Sequence, residues 1–186
     1  MPETVLKGKA IKLGDNVSTD DIIPGRFAHL RSNLPELSKH IFEDLVPDFA
    51  SRVHQGDFLV AGENFGLGSS REHAPLVIKM SEIAAILAKS AARIFFRNAI
   101  NQGLPVLLCD TDKINDGDRL EINLTEGVIT NLTSNSRLTS TKIPPLMFAI
   151  LKEGGLSLIL KSIRILNFSE RHSELHFLSL DGRGLR

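Results

Sequence analysis

The stretch that decides the fold is Ala61-Gly-Glu-Asn-Phe-Gly-Leu-Gly-Ser-Ser-Arg-Glu-His-Ala-Pro75. A short apolar run over residues 57–61 predicts a strand before it, and a helix is predicted to begin near Arg71. Three glycines allow positive φ angles and a close approach of the backbone to a ligand: Gly62, Gly66 and Gly68. A glycine-rich loop between a strand and a helix presents its backbone N–H groups to an anion. We therefore predict an anion-binding loop here.

Three polar side chains follow the last glycine: Ser69, Ser70 and Arg71. An arginine binds a carboxylate or a phosphate with two parallel hydrogen bonds and keeps its charge at any working pH. The glycine spacing matches neither a Walker loop nor the dinucleotide fingerprint, which makes nucleotide phosphate the weaker candidate anion. A second interpretation stays open, because Ser69 and Glu72 also have the spacing of a capping box, in which the serine only caps the helix.

Three motifs in a fixed order resemble those of one known family. They are Asp15-Asn-Val-Ser-Thr-Asp-Asp-Ile-Ile-Pro24, Gly66-Leu-Gly-Ser-Ser-Arg-Glu-His-Ala-Pro75 and Ala88-Lys-Ser-Ala-Ala-Arg-Ile-Phe-Phe-Arg-Asn-Ala-Ile-Asn101. Together they resemble the swivelling domain of the aconitase superfamily, and most closely the small subunits of 3-isopropylmalate dehydratase, with the small subunits of dimethylmalate dehydratase and homoaconitase as close relatives. The resemblance extends over most of residues 5–160 and implies a swivelling β/β/α domain.

The predicted elements indicate an α/β fold in two parts. Apolar runs alternate with helical patterns in the first part and predict a parallel α/β layer. The second part predicts short antiparallel strands followed by a helix. The predicted strands are 5–13, 57–61, 83–88, 104–108, 119–124, 128–132 and 136–142, and the predicted helices are 34–45, 47–53, 71–80, 90–102 and 144–152. Residues 1–161 are predicted to form the domain, and 162–186 an irregular C-terminal tail that is disordered or docks on a partner.

Composition narrows the classes of partner and compartment. The chain has 186 residues, with 22 basic and 22 acidic side chains, and this zero net charge argues against a nucleic-acid groove or an anionic membrane surface. Cys109 is the single cysteine, so the chain can neither form an internal disulfide nor hold an iron–sulfur cluster by itself. No apolar signal segment or membrane-spanning run is evident, and we expect a cytoplasmic protein that binds no metal.

The resemblance implies a hydro-lyase that moves a hydroxyl group between neighbouring carbons of a 2-hydroxy acid by dehydration and rehydration. In the family, Ser69 is the position of the base, which works as an alkoxide, while Ser70, Arg71 and Gly68 bind substrate carboxylate. A [4Fe-4S] cluster on a separate large subunit assists the departing hydroxyl group. The chain is therefore expected to be active only in a heterodimer with that subunit, most simply on 2-isopropylmalate in leucine biosynthesis.

Two further positions have both an ordinary interpretation and one implied by the resemblance. Asp20 belongs to an Asp-Asp pair that suits a solvated turn, but it matches a catalytic-cleft residue of the family that holds the base or an arginine in place. Arg31 suits an exposed cation, but it lies in the family's substrate-choosing loop and would meet a further carboxylate. This polar loop also leaves dimethylmalate, citrate or homocitrate open as the substrate. The sequence predicts no role for His29 or His73.

A different class of function also fits the anion-binding loop. The chain could be a non-catalytic carboxylate-binding module in which Ser69 caps a helix and Arg71 clamps the ligand. RNA binding, found in some relatives, is disfavoured because no basic stripe is visible. Replacing Ser69 separates a base from a cap, since only a base controls turnover.

Overall fold

A computed structural model describes residues 5–68 and 72–162 and contains a seven-stranded mixed sheet. The strand order is β4-β3-β2-β1-β5-β6-β7. The strands are β1 (Val5–Lys12), β2 (Phe58–Val60), β3 (Ala85–Ala88), β4 (Val106–Leu108), β5 (Arg119–Asn123), β6 (Val128–Asn131) and β7 (Ser136–Thr139). The predicted α/β fold, with its parallel layer followed by antiparallel strands, is confirmed by this arrangement.

The parallel half of the sheet contains β1 to β4. Ala10 of β1 pairs with Phe58 of β2, Phe58 pairs with Ala85 of β3, and Ile86 pairs with Val106 of β4. Every residue of β2 and β3 is buried, which explains why these strands are continuous apolar runs rather than alternating ones.

The antiparallel half follows from β1 through β5, β6 and β7. Buried residues alternate along these strands, as expected for a sheet with one face on the core and one in solvent. The sheet also curls, because the Thr141 N–H, just beyond β7, donates to the Leu108 carbonyl at the end of β4 (2.9 Å). Its inner face encloses an apolar core that includes Phe58, Leu120 and Ile129.

Helices pack on the other face of the parallel strands around a second apolar core. They are α1 (Thr19–Ile22), α2 (Leu34–Leu37), α3 (Phe49–Arg52), α4 (His73–Met80) and α5 (Arg93–Asn101), with a 3-10 helix over Gly25–Ser32. The last named helix, α6 (Pro145–Lys152), packs instead on Ile100 of α5 through Ile150 and Leu151. Residues 156–162 are also helical. The predicted domain of residues 1–161 and the predicted tail of 162–186 stay predictions, because residues 163–186 lie outside the described part of the chain.

Two predicted segments differ from the structure. The helix predicted over 34–45 is wrong in length, because α2 ends at Leu37, a short 3-10 helix covers Ser38–His40, and Phe42 has a φ of 56°. The Phe42 N–H instead donates to the Ile22 carbonyl (3.2 Å), which ties this segment to α1. The polar loop expected around Arg31, which spans residues 26–33, is largely the 3-10 helix Gly25–Ser32.

Candidate active site

Three loops meet where the parallel strands β1, β2 and β3 end. They are residues 13–18 after β1, residues 61–68 after β2 and residues 89–92 after β3. We call residues 61–68 the glycine loop. The carboxyl edge of parallel strands is the usual position of a ligand in sheets of this kind. The anion-binding loop predicted from the sequence therefore lies at the edge where chemistry is expected.

The loop after β1 runs beside the glycine loop and is joined to it by backbone hydrogen bonds. These are Gly62 N to Gly14 O (3.1 Å), Asn16 N to Glu63 O (2.7 Å), Gly66 N to Val17 O (2.7 Å) and Thr19 N to Leu67 O (2.8 Å). Because the bonds continue along the whole glycine loop, its backbone is fixed relative to the start of α1.

The loop after β3 holds the opposite side of the glycine loop. The Phe65 N–H donates to the Ser90 carbonyl (3.0 Å), and the Ala92 N–H donates to the Phe65 carbonyl (2.9 Å). The Ser90 hydroxyl oxygen accepts from the Asn64 N–H (2.8 Å). The glycine loop is therefore bonded on both sides, which makes it a preorganised binding element rather than a free surface loop.

Gly66 and Gly68 are required by the geometry of this loop. Their φ angles are 75° and 105°, values that side chains other than glycine rarely adopt. A Cβ atom on Gly66 would overlap the ring of Phe95, and one on Gly68 would lie 3.1 Å from the Thr19 hydroxyl oxygen. The predicted positive φ is thus observed at Gly66 and Gly68 but not at Gly62, and the close contacts are with protein side chains, while the predicted approach to a ligand stays a prediction.

One backbone donor remains available on the glycine loop. Among residues 5–68 and 72–162, the Gly68 N–H group donates to no protein acceptor, whereas Leu67 is joined to Ser18 in an isolated parallel β-bridge. Gly68 is exposed, so this donor lies at the rim of the loop. An N–H group at the carboxyl edge of a sheet suits a carboxylate or another small anion.

Ser69, Ser70 and Arg71 lie outside the described residues, between Gly68 and Glu72. The helix predicted near Arg71 begins at His73, and Glu72 occupies its N-cap position without a side-chain cap bond. The capping box would have placed Glu72 third in the helix, so that detail of the capping interpretation is wrong. His73 is half-buried in the first turn of α4.

Asp20 and Asp21 lie in the first turn of α1, and their side chains have different surroundings. Ser18 caps this helix, and the Asp21 carboxylate accepts from the Ser18 N–H (2.7 Å) and from its hydroxyl group (2.6 Å). Asp21 thus completes a capping box. Asp20 is exposed beside Thr19, whose N–H is bonded to the glycine loop. The structure therefore brings the backbone at Asp20 close to the loop that ends at Gly68.

Arg31 lies on a different segment from the glycine loop. Its side chain is exposed near the end of the 3-10 helix Gly25–Ser32 and forms no ion pair within the described part of the chain. Arg26 anchors that helix through two hydrogen bonds to the Asp44 carboxylate (2.6 Å each), which raise the pKa of Arg26. His29 is also exposed, and its Nδ1 atom lies 3.0 Å from the Arg26 carbonyl oxygen.

Sequence reasoning missed three residues that support the site. Thr111 donates its hydroxyl hydrogen to the Ala61 carbonyl at the start of the glycine loop (2.8 Å) and is buried. Thr19 and Phe95 are buried against the loop glycines. Thr19 could have been suspected from its motif, whereas nothing near Thr111 in the sequence signals a contact fifty residues away.

Metal-binding side chains do not cluster in the described part of the chain. No group of three histidine, cysteine, aspartate or glutamate residues among 5–68 and 72–162 could hold a metal ion. Burial raises the pKa of Cys109 to about 12, so its thiol is a poor source of the thiolate that an iron–sulfur cluster requires. The same residues include no helix long and apolar enough to cross a membrane.

Comparisons with known protein families, sequences and structures all indicate the same family. The model of the aconitase C-terminal domain matches residues 6–111. The 3-isopropylmalate dehydratase small subunit 2 of Archaeoglobus fulgidus is 57% identical over 149 residues, which cover 80% of this chain and 90% of that protein. Small subunit 1 of Thermotoga maritima is 55% identical over 158 residues, which cover 84% and 95%. A crystal structure of 3-isopropylmalate dehydratase from Methanocaldococcus jannaschii superimposes with a TM-score of 0.85 at 42% identity, and the match covers 89% of this chain and 99% of that one.

Proposed function

Because this chain belongs to the aconitase C-terminal domain family, among its 3-isopropylmalate dehydratase small subunits, we propose that it is the small subunit of a hydro-lyase in leucine biosynthesis. The complete enzyme would convert 2-isopropylmalate to 3-isopropylmalate by dehydration and rehydration. The observation that carries the proposal is the glycine loop, which is bonded on both sides and keeps the Gly68 N–H group available for an anion. Both acids are dicarboxylates, so an anion-binding loop suits them.

The glycine loop and the residues after it would hold one carboxylate of the substrate. We assign this binding to the Gly68 backbone together with the Ser70 hydroxyl group and the Arg71 guanidinium group. A carbon beside a carboxylate is a very weak acid, so the negative charge that develops when its proton leaves needs fixed positive partners. Arg71 would provide such a partner, together with the Gly68 N–H group, whose loop is held by hydrogen bonds on both sides.

Ser69 would take the proton from that carbon. A serine is a poor base in water, and it becomes plausible only as an alkoxide stabilised by neighbouring donors. Ser69 follows Gly68 directly in the sequence, and Gly68 ends the glycine loop. Glu72 is the N-cap of α4 and not the third helical residue that the capping box requires, which supports the role of a base over that of a cap.

Asp20 and Arg31 would act around this centre. We propose that Asp20 orients Ser69 or Arg71, because the Thr19–Leu67 hydrogen bond holds its backbone beside the glycine loop. Arg31 would bind the second carboxylate of the substrate and so contribute to substrate choice. Its exposure on an anchored 3-10 helix leaves the guanidinium group available to a ligand or to the partner subunit. Dimethylmalate, citrate or homocitrate remain alternative substrates, since a polar group at this position also suits them.

The large subunit is the partner that we propose. One partly buried cysteine does not fit an iron–sulfur cluster, which needs three or four thiolates, so we place the [4Fe-4S] cluster on the large subunit. The departure of the hydroxyl group depends on that subunit, whereas the groups on this chain bind carboxylate and move the proton. The cytoplasmic location, and the absence of nucleic-acid and membrane partners, stay predictions from the sequence.

Reconstitution tests the proposal. The purified chain is mixed under anaerobic conditions with the cluster-loaded large subunit from a close relative such as Thermotoga maritima, and formation of 3-isopropylmalate is followed. We expect product from the mixture and none from either subunit alone. Turnover by this chain alone would contradict the divided site. A stable complex that binds 2-isopropylmalate without converting it would favour the non-catalytic binding module.

A further inference from the structure

A group of basic side chains lies at the opposite end of the parallel strands from the glycine loop. A hollow of about 440 Å³ opens beside the first half of β1 and the start of β5. We call it the β1–β5 hollow, and its polar lining is Lys7, Lys9, His54, Asp57 and Arg119, with the exposed Leu132 at one side. Since Asp57 directly precedes β2, the hollow lies at the amino end of a strand whose carboxyl end leads into the glycine loop.

Two basic side chains of the hollow are direct neighbours on adjacent strands. Lys9 of β1 and Arg119 of β5 are directly paired in the antiparallel ladder, which places both side chains on the same face of the sheet. Like charges directly opposite each other destabilise a strand pair. The next pair on this face is Lys7 with Glu121, and these form a salt bridge of 2.9 Å. The Lys7–Glu121 pair is therefore neutral, whereas the neighbouring Lys9–Arg119 pair carries two positive charges.

The carboxylates near these cations are already engaged. Within residues 5–68 and 72–162, the side chains of Lys9 and Arg119 form no hydrogen bond or ion pair. Asp57 is 5% exposed, and its carboxylate accepts from the backbone N–H groups of Lys9 (3.0 Å) and His54 (2.9 Å). Glu121 is bound to Lys7. Asp57 keeps its negative charge, because its hydrogen-bond partners are neutral N–H groups, so Lys9 and Arg119 leave the described lining with a net excess of positive charge.

The frame of the hollow is fixed by backbone packing. Gly8 lies so close to Gly56 that a Cβ atom on residue 8 would overlap the Gly56 carbonyl group. The Gly56 N–H also donates to the Glu82 carbonyl (3.0 Å), and the Asp57 N–H donates to the His54 carbonyl (3.0 Å). The turn of residues 54–57 is therefore held against β1, with the exposed His54 imidazole at the edge of the hollow.

We propose that the β1–β5 hollow is a binding site for a small dianion, specifically the phosphate group of a phosphate monoester. The two cations outweigh the single negative charge of Asp57, and their lysine and arginine donors suit phosphate oxygens. His54 can add a third donor, and Leu132 offers apolar surface to the organic part of the ligand. This site is independent of the proposed dehydratase function, because no group of the glycine loop contributes to it.

Amide chemical shifts of the full chain locate the site. Inorganic phosphate is titrated into ¹⁵N-labelled protein at constant ionic strength, with sodium chloride as the balancing salt. We expect saturable shifts at Gly8, Lys9, His54 and Arg119 and little change at Gly66 and Gly68. Phenyl phosphate is expected to bind more tightly than phosphate because of Leu132. Shifts confined to Gly66 and Gly68, or shifts that never saturate, would overturn the proposal.

Substitutions then test the role of the facing cations. Arg119→Gln should weaken phosphate binding by about tenfold, the loss expected for one charge-assisted contact. Arg137→Gln is the matched control, because Arg137 is an exposed cation on β7 that does not line the hollow. Lys9→Glu should abolish phosphate binding and also raise the thermal midpoint at low salt, since it turns a like-charge pair into an ion pair. Equal affinity in the wild-type, R119Q and K9E proteins would refute the site.

Discussion

The backbone of Gly66 lies against the ring of Phe95, so closely that no side chain can be placed on residue 66. Phe95 belongs to α5, and its ring also packs edge-on against Phe65, with ring centroids 5.1 Å apart. The contact therefore joins the glycine loop to the helix after β3. The Phe95 ring thus limits where the Gly66 backbone can lie, while the loop after β1 forms hydrogen bonds along the glycine loop.

We predict that Gly66→Ala destabilises the protein and abolishes activity in the reconstituted complex. The new methyl group would overlap Phe95, and the φ of 75° is unfavourable for alanine. We expect the free energy of unfolding to fall by about 2–4 kcal/mol in urea denaturation. Gly14→Ala is the control, since a Cβ atom there meets nothing within 4 Å. Equal stability of the two variants would show that the loop is not held as described.

Asp20 and Asp21 should respond differently to substitution. Asp21→Ala removes the capping box of α1, and we expect it to cost about 1 kcal/mol of stability. Asp20→Ala should instead lower kcat by about 10- to 100-fold with a smaller loss of stability, because we propose that it orients the catalytic groups. Chemical denaturation and steady-state kinetics of both variants measure the difference. The opposite pattern would move the functional role to Asp21.

Because of Cys109, the free energy of unfolding should depend on pH in the alkaline range. Burial, with Asp110 as a further cause, raises the pKa of this thiol from its ordinary value of 9.0 to about 12. A raised pKa in the folded state contributes stability that is complete below pH 9 and is lost as the pH rises through about 12. The difference in unfolding free energy between wild type and Cys109→Ala should therefore decrease over this range. A difference that stays constant would mean that the thiol titrates normally in the folded protein.

We predict that the Lys79 side chain stabilises the fold, a role that no pattern in the sequence indicates. Its ammonium group donates to the carbonyls of Gln102 (2.7 Å) and Gly154 (2.8 Å), just beyond the ends of α5 and α6. Lys79→Met leaves both carbonyls without this donor, and we expect a loss of about 1–3 kcal/mol in the free energy of unfolding. Lys142→Met, at an exposed position between β7 and α6, serves as the control. A similar small effect of both substitutions would contradict the role of Lys79.

The sequence allowed the fold to be predicted wherever a local pattern determines the structure. The apolar runs that became β2 and β3, and the glycines that became the loop, each carry their own signal. The predicted helix over 34–45 was wrong because Phe42, although apolar and suitably spaced, adopts a positive φ and bonds to Ile22 instead. Such a tertiary contact outweighs helical periodicity and leaves no trace in the local sequence.

The candidate site could be predicted only where the local sequence determines it. Gly66 and Gly68 could be identified from spacing, and the roles of Ser69, Ser70 and Arg71 came from the family resemblance and remain proposals. The support of the glycine loop by Thr111 could not be predicted, since it depends on a contact between residues fifty positions apart. The like-charge pairing of Lys9 with Arg119 also required the strand register.

Kinetics of Ser69→Ala in the complex with the cluster-bearing large subunit test the central claim most directly. If this chain supplies the base, kcat should fall by about 10³-fold or more while KM for 2-isopropylmalate changes little. Ser81→Ala, at the other end of α4, should keep wild-type kcat. An S69A complex that turns over as fast as wild type, with an intact fold, would contradict the account.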